Sequence, residues 1–190
     1  MSLNVVIFGA PGSGKGTQSI MIAEKFGLKH LSTGDLLRAE QEKGSELGQK
    51  IAGFTSQGNL VPDALIIDML ANVLDEQPAD TGFIFDGFPR TVAQAQALKE
   101  MLAKRNKGVS IMLDLMVDEK ELVERLLNRG LTSGRADDNE ETIQRRIQVY
   151  HSKTAPVKDF YKQEGLSTDI AGSGAIDEIF ARICAAIETV

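Results

Sequence analysis

Short apolar runs alternate with helical periods along this chain. Val5 to Phe8 is an unbroken β-branched and aromatic run, followed by a glycine-rich turn. Beyond the turn, Ile20, Ile22, Ala23 and Phe26 are spaced as one helix face and end at Gly27, a residue suited to the left-handed backbone that stops a helix. Leu28 to Leu31, Phe83 to Phe85, Val109 to Val117 and Leu166 to Ile170 are further strand candidates, separated by helical stretches of about 10 to 15 residues. This βαβαβ order predicts an α/β fold with a parallel sheet flanked by helices. In the last segment Ile176, Ile179, Phe180, Ile183, Cys184 and Ile187 share one helix face, which makes Cys184 a core residue. Two regions break the alternation. Residues 33 to 61 are helix-like throughout, and RGLTSGRADDN, residues 129 to 139, is a polar stretch containing glycine. Pro156 sits inside a helix-like segment, so a kink or break is expected near Ala155.

Composition narrows the class. With 190 residues and 42% hydrophobic content, the chain suits one domain with small lobes. A net charge of −6, a pI near 5.0 and no block of Lys or Arg argue against partners held by bulk electrostatics, such as nucleic acid or an anionic membrane. Any anion must be gripped locally. The single cysteine excludes an internal disulfide, and with only His30 and His151 beside it no Cys/His zinc cluster can form, so no structural zinc is expected. No apolar run reaches membrane-spanning length, and MSLNVVIFG runs into a strand without a charged leader, so a soluble, cytoplasmic protein is expected. The two histidines read as surface or packing residues.

The chemistry starts at GAPGSGKGT, Gly9 to Thr17, where Gly9, Gly14 and Lys15 satisfy the G-x-x-x-x-G-K pattern between a strand and a helix. Its backbone N–H groups can turn inward around phosphate oxygens at a helix N-terminus. Gly16 takes the usual Ser/Thr position and the hydroxyl moves to Thr17, which weakens the case for a direct magnesium ligand. A second feature is FIFDGFPRTVAQAQ, residues 83 to 96, which fixes Arg90 at the mouth of a buried strand, where an unpaired cation is costly and an anion is expected to meet it. Arg38, Arg125, Arg129, Arg135, Arg145 and Arg146 add further cations, and several facing one phosphoryl group would repel one another unless phosphates lay between them.

GAPGSGKGTQ, LSTGDLLR, GNLVPD, DGFPRTVAQA and LTSGRADDNEETIQRR, in this order, resemble the adenylate kinases of the nucleoside monophosphate kinase family, in the short-lid form. The resemblance covers nearly the whole chain. It implies a P-loop NTPase-type parallel five-stranded sheet with two small mobile lobes: a core of 1–31, 62–127 and 139–190, an AMP-binding lobe at 32–61 and a lid at 128–138. It implies reversible transfer of a phosphoryl group from ATP, with Mg2+, to AMP, giving two ADP and balancing the adenine nucleotides. A monomer with small-molecule partners only is expected.

Position by position, the resemblance places the ATP phosphates on Gly12, Ser13, Gly14, Lys15, Gly16 and Thr17, with Arg125, Arg129 and Gly174 also on the ATP side. Thr33 would lie near the AMP base, Arg38 at its phosphate, and Asn59, Leu60 and Val61 along the adenine pocket. Gly87, Phe88, Pro89 and Arg90 would grip the AMP phosphate, and Gln94 would read adenine's edge. Arg135 and Arg146 would close on the phosphates, so Lys15, Arg90, Arg129, Arg135 and Arg146 form the expected catalytic set. Asp86 would orient magnesium's water shell, with a structural cap as its rival role. Asp137 and Asp138 either pair with lid arginines or form a solvated acidic loop. The AMP phosphate is already anionic, so no general base is needed. A UMP/CMP kinase would share most of these motifs, though a smaller residue at 33 and asparagine at 94 would be expected there. A P-loop regulatory protein is the rival from another class, but leaves the AMP-side motifs without purpose.

Overall fold

Buried on both faces, a parallel strand must be apolar at nearly every position. That rule fits β1 (Asn4–Phe8), β3 (Phe83–Asp86) and β4 (Ile111–Met116); β2 (Lys29–Ser32) and β5 (Ser167–Ala171), at the two edges, are mostly polar, and all five pair in parallel in the order β2-β3-β1-β4-β5. The computed structural model describes residues 2–133, 135 and 137–190; of the expected lid, Gly134 and Ala136 lie outside the described residues. Val6, Phe8, Phe83, Phe85 and Met112 point to one side, where they pack with α4 (Asp63–Asp75), α5 (Val92–Ala103) and α8 (Pro156–Gln163). Val5, Ile7, Ile84, Ile111, Leu113 and Leu115 point to the other, against α1 (Lys15–Phe26) and α9 (Ile176–Ile187).

The helix-like stretch after β2 is α2 (Thr33–Glu42) and α3 (Glu46–Thr55). Each begins at a serine whose hydroxyl accepts from a first-turn N–H: Ser32 from Asp35 at 3.2 Å, Ser45 from Gly48 at 3.0 Å. The strand expected over 109–117 is shorter, and two apolar positions face water. Ile20 is 53% exposed and Ile176 55%, because Gln18, Ser19 and Ile22 form the buried face of α1 and the inner face of α9 begins at Ile179.

Two further departures concern helices. The polar stretch from 129 is not loop from its start, since α6 (Glu119–Ser133) continues through it. Gly130 belongs inside that helix because the chain returns over it: a Cβ there would stand 2.5 Å from the Asp138 carbonyl. The break at Ala155 is a widening. After α7 (Glu140–Val149), a π-helical turn spans Tyr150–Thr154, closed by the Ala155 N–H donating to the Tyr150 carbonyl at 2.8 Å. Pro156, which has no N–H to give, then opens α8 at its first position. Cys184 is buried, as its helix face requires.

One buried charge sits beneath the sheet end. Asp114 on β4 is 2% exposed and is neutralised by Lys158 of α8 at 2.7 Å, which also reaches Asp169 of β5 at 2.8 Å. Removing the cation would strand a buried carboxylate, which costs about 3 kcal/mol. Lys158→Met should lower unfolding free energy by that order in urea titration, and adding Asp114→Leu should restore most of it. Equal stability of the Lys158→Met variant and the parent would show that the pair does not hold β4 to α8.

Candidate active site

The carboxyl ends of β1 and β3 lie side by side, so the loops that leave them share one crevice. From β1 the chain turns into α1 at Gly14, whose left-handed backbone caps the helix without any side-chain acceptor. The first N–H groups of α1 are therefore open to an anion. Lys15 Nζ folds back onto the loop, donating to the carbonyls of Gly9 and Ala10, both at 2.8 Å. Burial, first, and the nearby charges of Arg90, Arg146 and Arg129 bring its pKa down to about 8, against the opposing pull of Asp86. Beside this loop, Gly12, Ser13, Gly14, Thr17, Arg125 and Gly174 line a cleft of about 330 Å³. Arg125 is fixed there by the Gly172 carbonyl, 3.2 Å away, and by Glu121 one turn earlier in α6.

From β3 the chain passes through Gly87 at φ 76°, where a Cβ would stand 2.9 Å from both Thr33 Oγ1 and Arg90 Nη2. The glycine lets three groups close on one point. Thr33 donates to the Gly87 carbonyl at 2.8 Å, and Arg90 Nε donates to the same oxygen at 2.8 Å. The Phe88–Pro89 peptide is cis, and Phe88 is buried in the core. Gln94 is 3% exposed and held at both ends: its oxygen accepts from the Arg90 N–H at 2.7 Å, and its nitrogen donates to Asp63 at 2.7 Å. Asp63, at the start of α4, also accepts from the Thr91 hydroxyl at 2.9 Å. Arg38 pairs with Asp35.

The other cations arrive from α6, α7 and the segment between. Arg129 makes a two-pronged pair with Asp138 at 2.6 and 2.7 Å, and Arg146 reaches Asp138 at 2.9 Å and Asp137 at 3.0 Å. The Asp138 side chain is wholly buried. Burial works to raise its pKa, yet the hydrogen bonds and charges of Arg129 and Arg146 hold it below the ordinary carboxylate value. Arg90 and Arg135 are both lowered, by burial first and then by like charge: Arg146 and Arg38 act on Arg90, Arg129 and Arg38 on Arg135. Lys15 thus lies within reach of the charges of Arg90, Arg129 and Arg146, and Arg135 within reach of those of Arg129 and Arg38.

The family model for adenylate kinase matches residues 7–166 of this chain. The chain is 63% identical to the adenylate kinase of Phocaeicola vulgatus and 60% to that of Bacteroides thetaiotaomicron, each over 98% of both chains. It is 50% identical to that of Porphyromonas gingivalis, over 98% of this chain and 96% of the relative. This chain belongs to the adenylate kinase family.

Adenylate kinases as a family use ATP and Mg2+, and the residues here fit a cation carried by its nucleotide. Asp86 Oδ2 faces the start of α1, 3.7 Å from where a Cβ on Gly16 would be, and its other neighbour is His30 Nε2 at 3.4 Å. Among the described residues no group of three or more His, Cys, Asp or Glu is placed to hold a metal alone. A lone carboxylate beside the phosphate loop suits outer-sphere contact through water.

Sequence reasoning overlooked Asp63, although GNLVPD contains it, because its partners Thr91 and Gln94 lie 28 and 31 residues away. It also passed over His30, whose contact with Asp86 depends on β2 lying beside β3. Asn59 and Leu60 line a separate cleft against α7, while Val61 is buried in the core.

The lowered Lys15 gives a signed pH effect. Below about pH 8 the ammonium is present; above it the amine is neutral and loses its attraction for phosphate. Affinity for inorganic tripolyphosphate should fall up to about tenfold per pH unit above that value, with binding at pH 8.5 taking up about 0.8 proton. Calorimetry in two buffers of different ionisation enthalpy measures the uptake. No proton uptake at pH 8.5 would mean that Lys15 is not the titrating contact.

Proposed function

We propose that this chain moves the terminal phosphoryl group of ATP reversibly onto the phosphate of AMP, giving two ADP and balancing the adenine nucleotide pool. The convergence of Lys15, Arg90, Arg129, Arg135 and Arg146 between the P-loop and the 87–90 turn supports this reading most strongly. An NTP-hydrolysing regulator would need cations on the donor side only. Here they also gather on the acceptor side, where Thr33, Gly87, Arg90 and Gln94 form one hydrogen-bonded unit.

In this reading the N–H groups at the start of α1 hold the donor's phosphates, and Lys15 leaves the Gly9 and Ala10 carbonyls to follow the transferring group. Arg125 and Gly174 flank the donor's nucleoside. Arg90 and Arg38 take the AMP phosphate, Gln94 and Thr33 meet its base, and Asn59, Leu60 and Val61 contribute backbone and apolar surface. Arg129, Arg135 and Arg146 neutralise the charge that spreads over the transferring oxygens. Asp86 would hold, through water, the magnesium carried by ATP, which would supply charge neutralisation at the donor's phosphates. The acceptor oxygen is anionic already, so the chain need only align it and keep water out. The lobes at 32–61 and 128–138 would move to do so. The acid balance of the chain and its lack of a basic block suit free nucleotides as partners, handled by a cytoplasmic monomer; among the described residues no helix is long and apolar enough to cross a membrane.

Thr33 and Gln94 favour AMP over a pyrimidine acceptor. A coupled assay should give a kcat/KM for AMP well above those for CMP, UMP and GMP, and equal use of all four would refute the assignment of the base pocket. Lys15→Ala should fold normally and lose roughly 10²- to 10³-fold in kcat. An unchanged kcat would remove the P-loop lysine from the mechanism.

Replacing residues 131–138 by a short Gly/Ser bridge removes Arg135, Asp137 and Asp138 while leaving the P-loop, Arg38 and Arg90. AMP should still bind, transfer should collapse, and residual ATP turnover should shift toward hydrolysis because the site stays wet. The ratio of free phosphate to ADP formed from ATP with AMP present measures this. Near-native transfer with no rise in that ratio would show that the lid does not exclude water.

A further inference from the structure

A second cleft, of about 340 Å³, lies between the end of α3 with the turn after it and the outer face of α7 with the π turn. Its walls differ in kind. Phe54, Leu60 and Val149 give an apolar side, and Phe54 is 39% exposed. Arg145, Lys153 and Gln148 give a side made of donors. Arg145, exposed, is held by two neutral acceptors, Asn59 Oδ1 at 3.1 Å from Nε and Gln148 Oε1 at 2.9 Å from Nη1. Of its five N–H groups, two donate to these, and the other three meet no acceptor among the described residues. Among the described residues neither Arg145 nor Lys153 has a carboxylate within ion-pair distance, in a chain whose net charge is −6 and whose other arginines near the crevice are mostly paired. Glu141, one turn before Arg145 on α7, forms no ion pair with it.

Two uncompensated cations beside an exposed phenyl ring call for one ligand with two parts: an anion for the donors and a flat apolar body for Phe54 and Leu60. We infer that this cleft binds an aromatic phosphate monoester, with the phosphate between Arg145 and Lys153 and the ring against Phe54. Such an occupant would tie the small lobe to α7, because Phe54, Asn59 and Leu60 belong to one wall and the cations to the other. Neither the P-loop residues nor Arg90 lines this cleft, which borders the proposed transfer site only at Asn59 and Leu60.

The test uses the whole protein and 2-naphthyl phosphate as probe, read by amide chemical shifts in two-dimensional NMR. Saturable shifts at residues 54, 148, 149 and 153 are expected, with a Kd of about 0.5 mM for a ligand of that size. Its two halves, 2-naphthol and inorganic phosphate, should each shift those amides with at least tenfold weaker affinity. Arg145→Gln with Lys153→Gln should weaken the probe at least tenfold while the far-ultraviolet circular dichroism and Tm stay near the parent's. Phe54→Ser should weaken the probe and leave inorganic phosphate unchanged. Probe shifts confined to residues 12–17 and 87–90 would overturn the proposal, since the probe would then occupy only the transfer site. So would phosphate alone binding the cleft as tightly as the aryl ester, or a double variant that binds the probe as the parent does. None of these readouts depends on phosphoryl transfer, so the proposal stands or falls apart from the enzymatic assignment.

Discussion

Mutual repulsion among cations is the constraint around which this molecule is arranged. Lys15 comes from the start of α1, Arg90 from the turn after β3, Arg129 from α6 and Arg146 from α7; burial first, and like charge nearby after it, lowers Lys15 and Arg90. No short segment could hold such a set, since neighbours free to move would turn apart into water. The sheet order solves this by setting β1 against β3 and delivering two of the cations from adjacent strand ends. The other two are fastened from outside by Asp138, whose buried carboxylate spans Arg129 and Arg146. A buried carboxylate is costly alone, and two arginines on it are what make its burial tolerable.

Neutral groups do the positioning on the acceptor side. Arg90 is aimed by the Gly87 carbonyl rather than by a carboxylate, so its charge is not spent on a permanent partner. Gln94 occupies its oxygen with the Arg90 backbone, and Asp63 anchors its nitrogen from the N-terminus of α4, where a carboxylate gains from the helix dipole. The chain from Asp63 through Gln94 to Arg90 therefore links α4 to the 87–90 turn. The turn after α3 meets α7 as closely: a Cβ on Gly58 would stand 3.1 Å from the Thr142 carbonyl and from Arg146 Cγ. That packing ties the placement of Arg146 to the turn after α3.

What could be read from the sequence was local. Val5 to Phe8, the glycine-rich turn and the helix after it declare themselves over some twenty residues, and the P-loop depends on nothing farther away. The three inner strands were legible because burial on both faces leaves an apolar run, though their ends were not: the expected 109–117 strand is paired only over Ile111–Met116. Ile20 was misplaced because Gln18, polar in composition, is buried and donates to the Ile176 carbonyl, a partner 158 residues distant. The helix through Ser133 was hidden by Gly130, which a sequence reading counts as a breaker and which is there for the close passage of Asp138. His30 against Asp86, and the burial of Asp138, are consequences of the assembled fold and carry no local signal.

The Asp138 arrangement has a consequence for any anion that arrives there. Arg129 and Arg146 are already satisfied by a carboxylate, so an incoming phosphate gains only the difference between its own contacts and those it displaces. That cost falls alike on every state in which the carboxylate has been displaced, so it weakens binding without by itself favouring a transition state. What the carboxylate supplies is order: two guanidinium groups, one from α6 and one from α7, are held together before any phosphate arrives and need not be gathered from water.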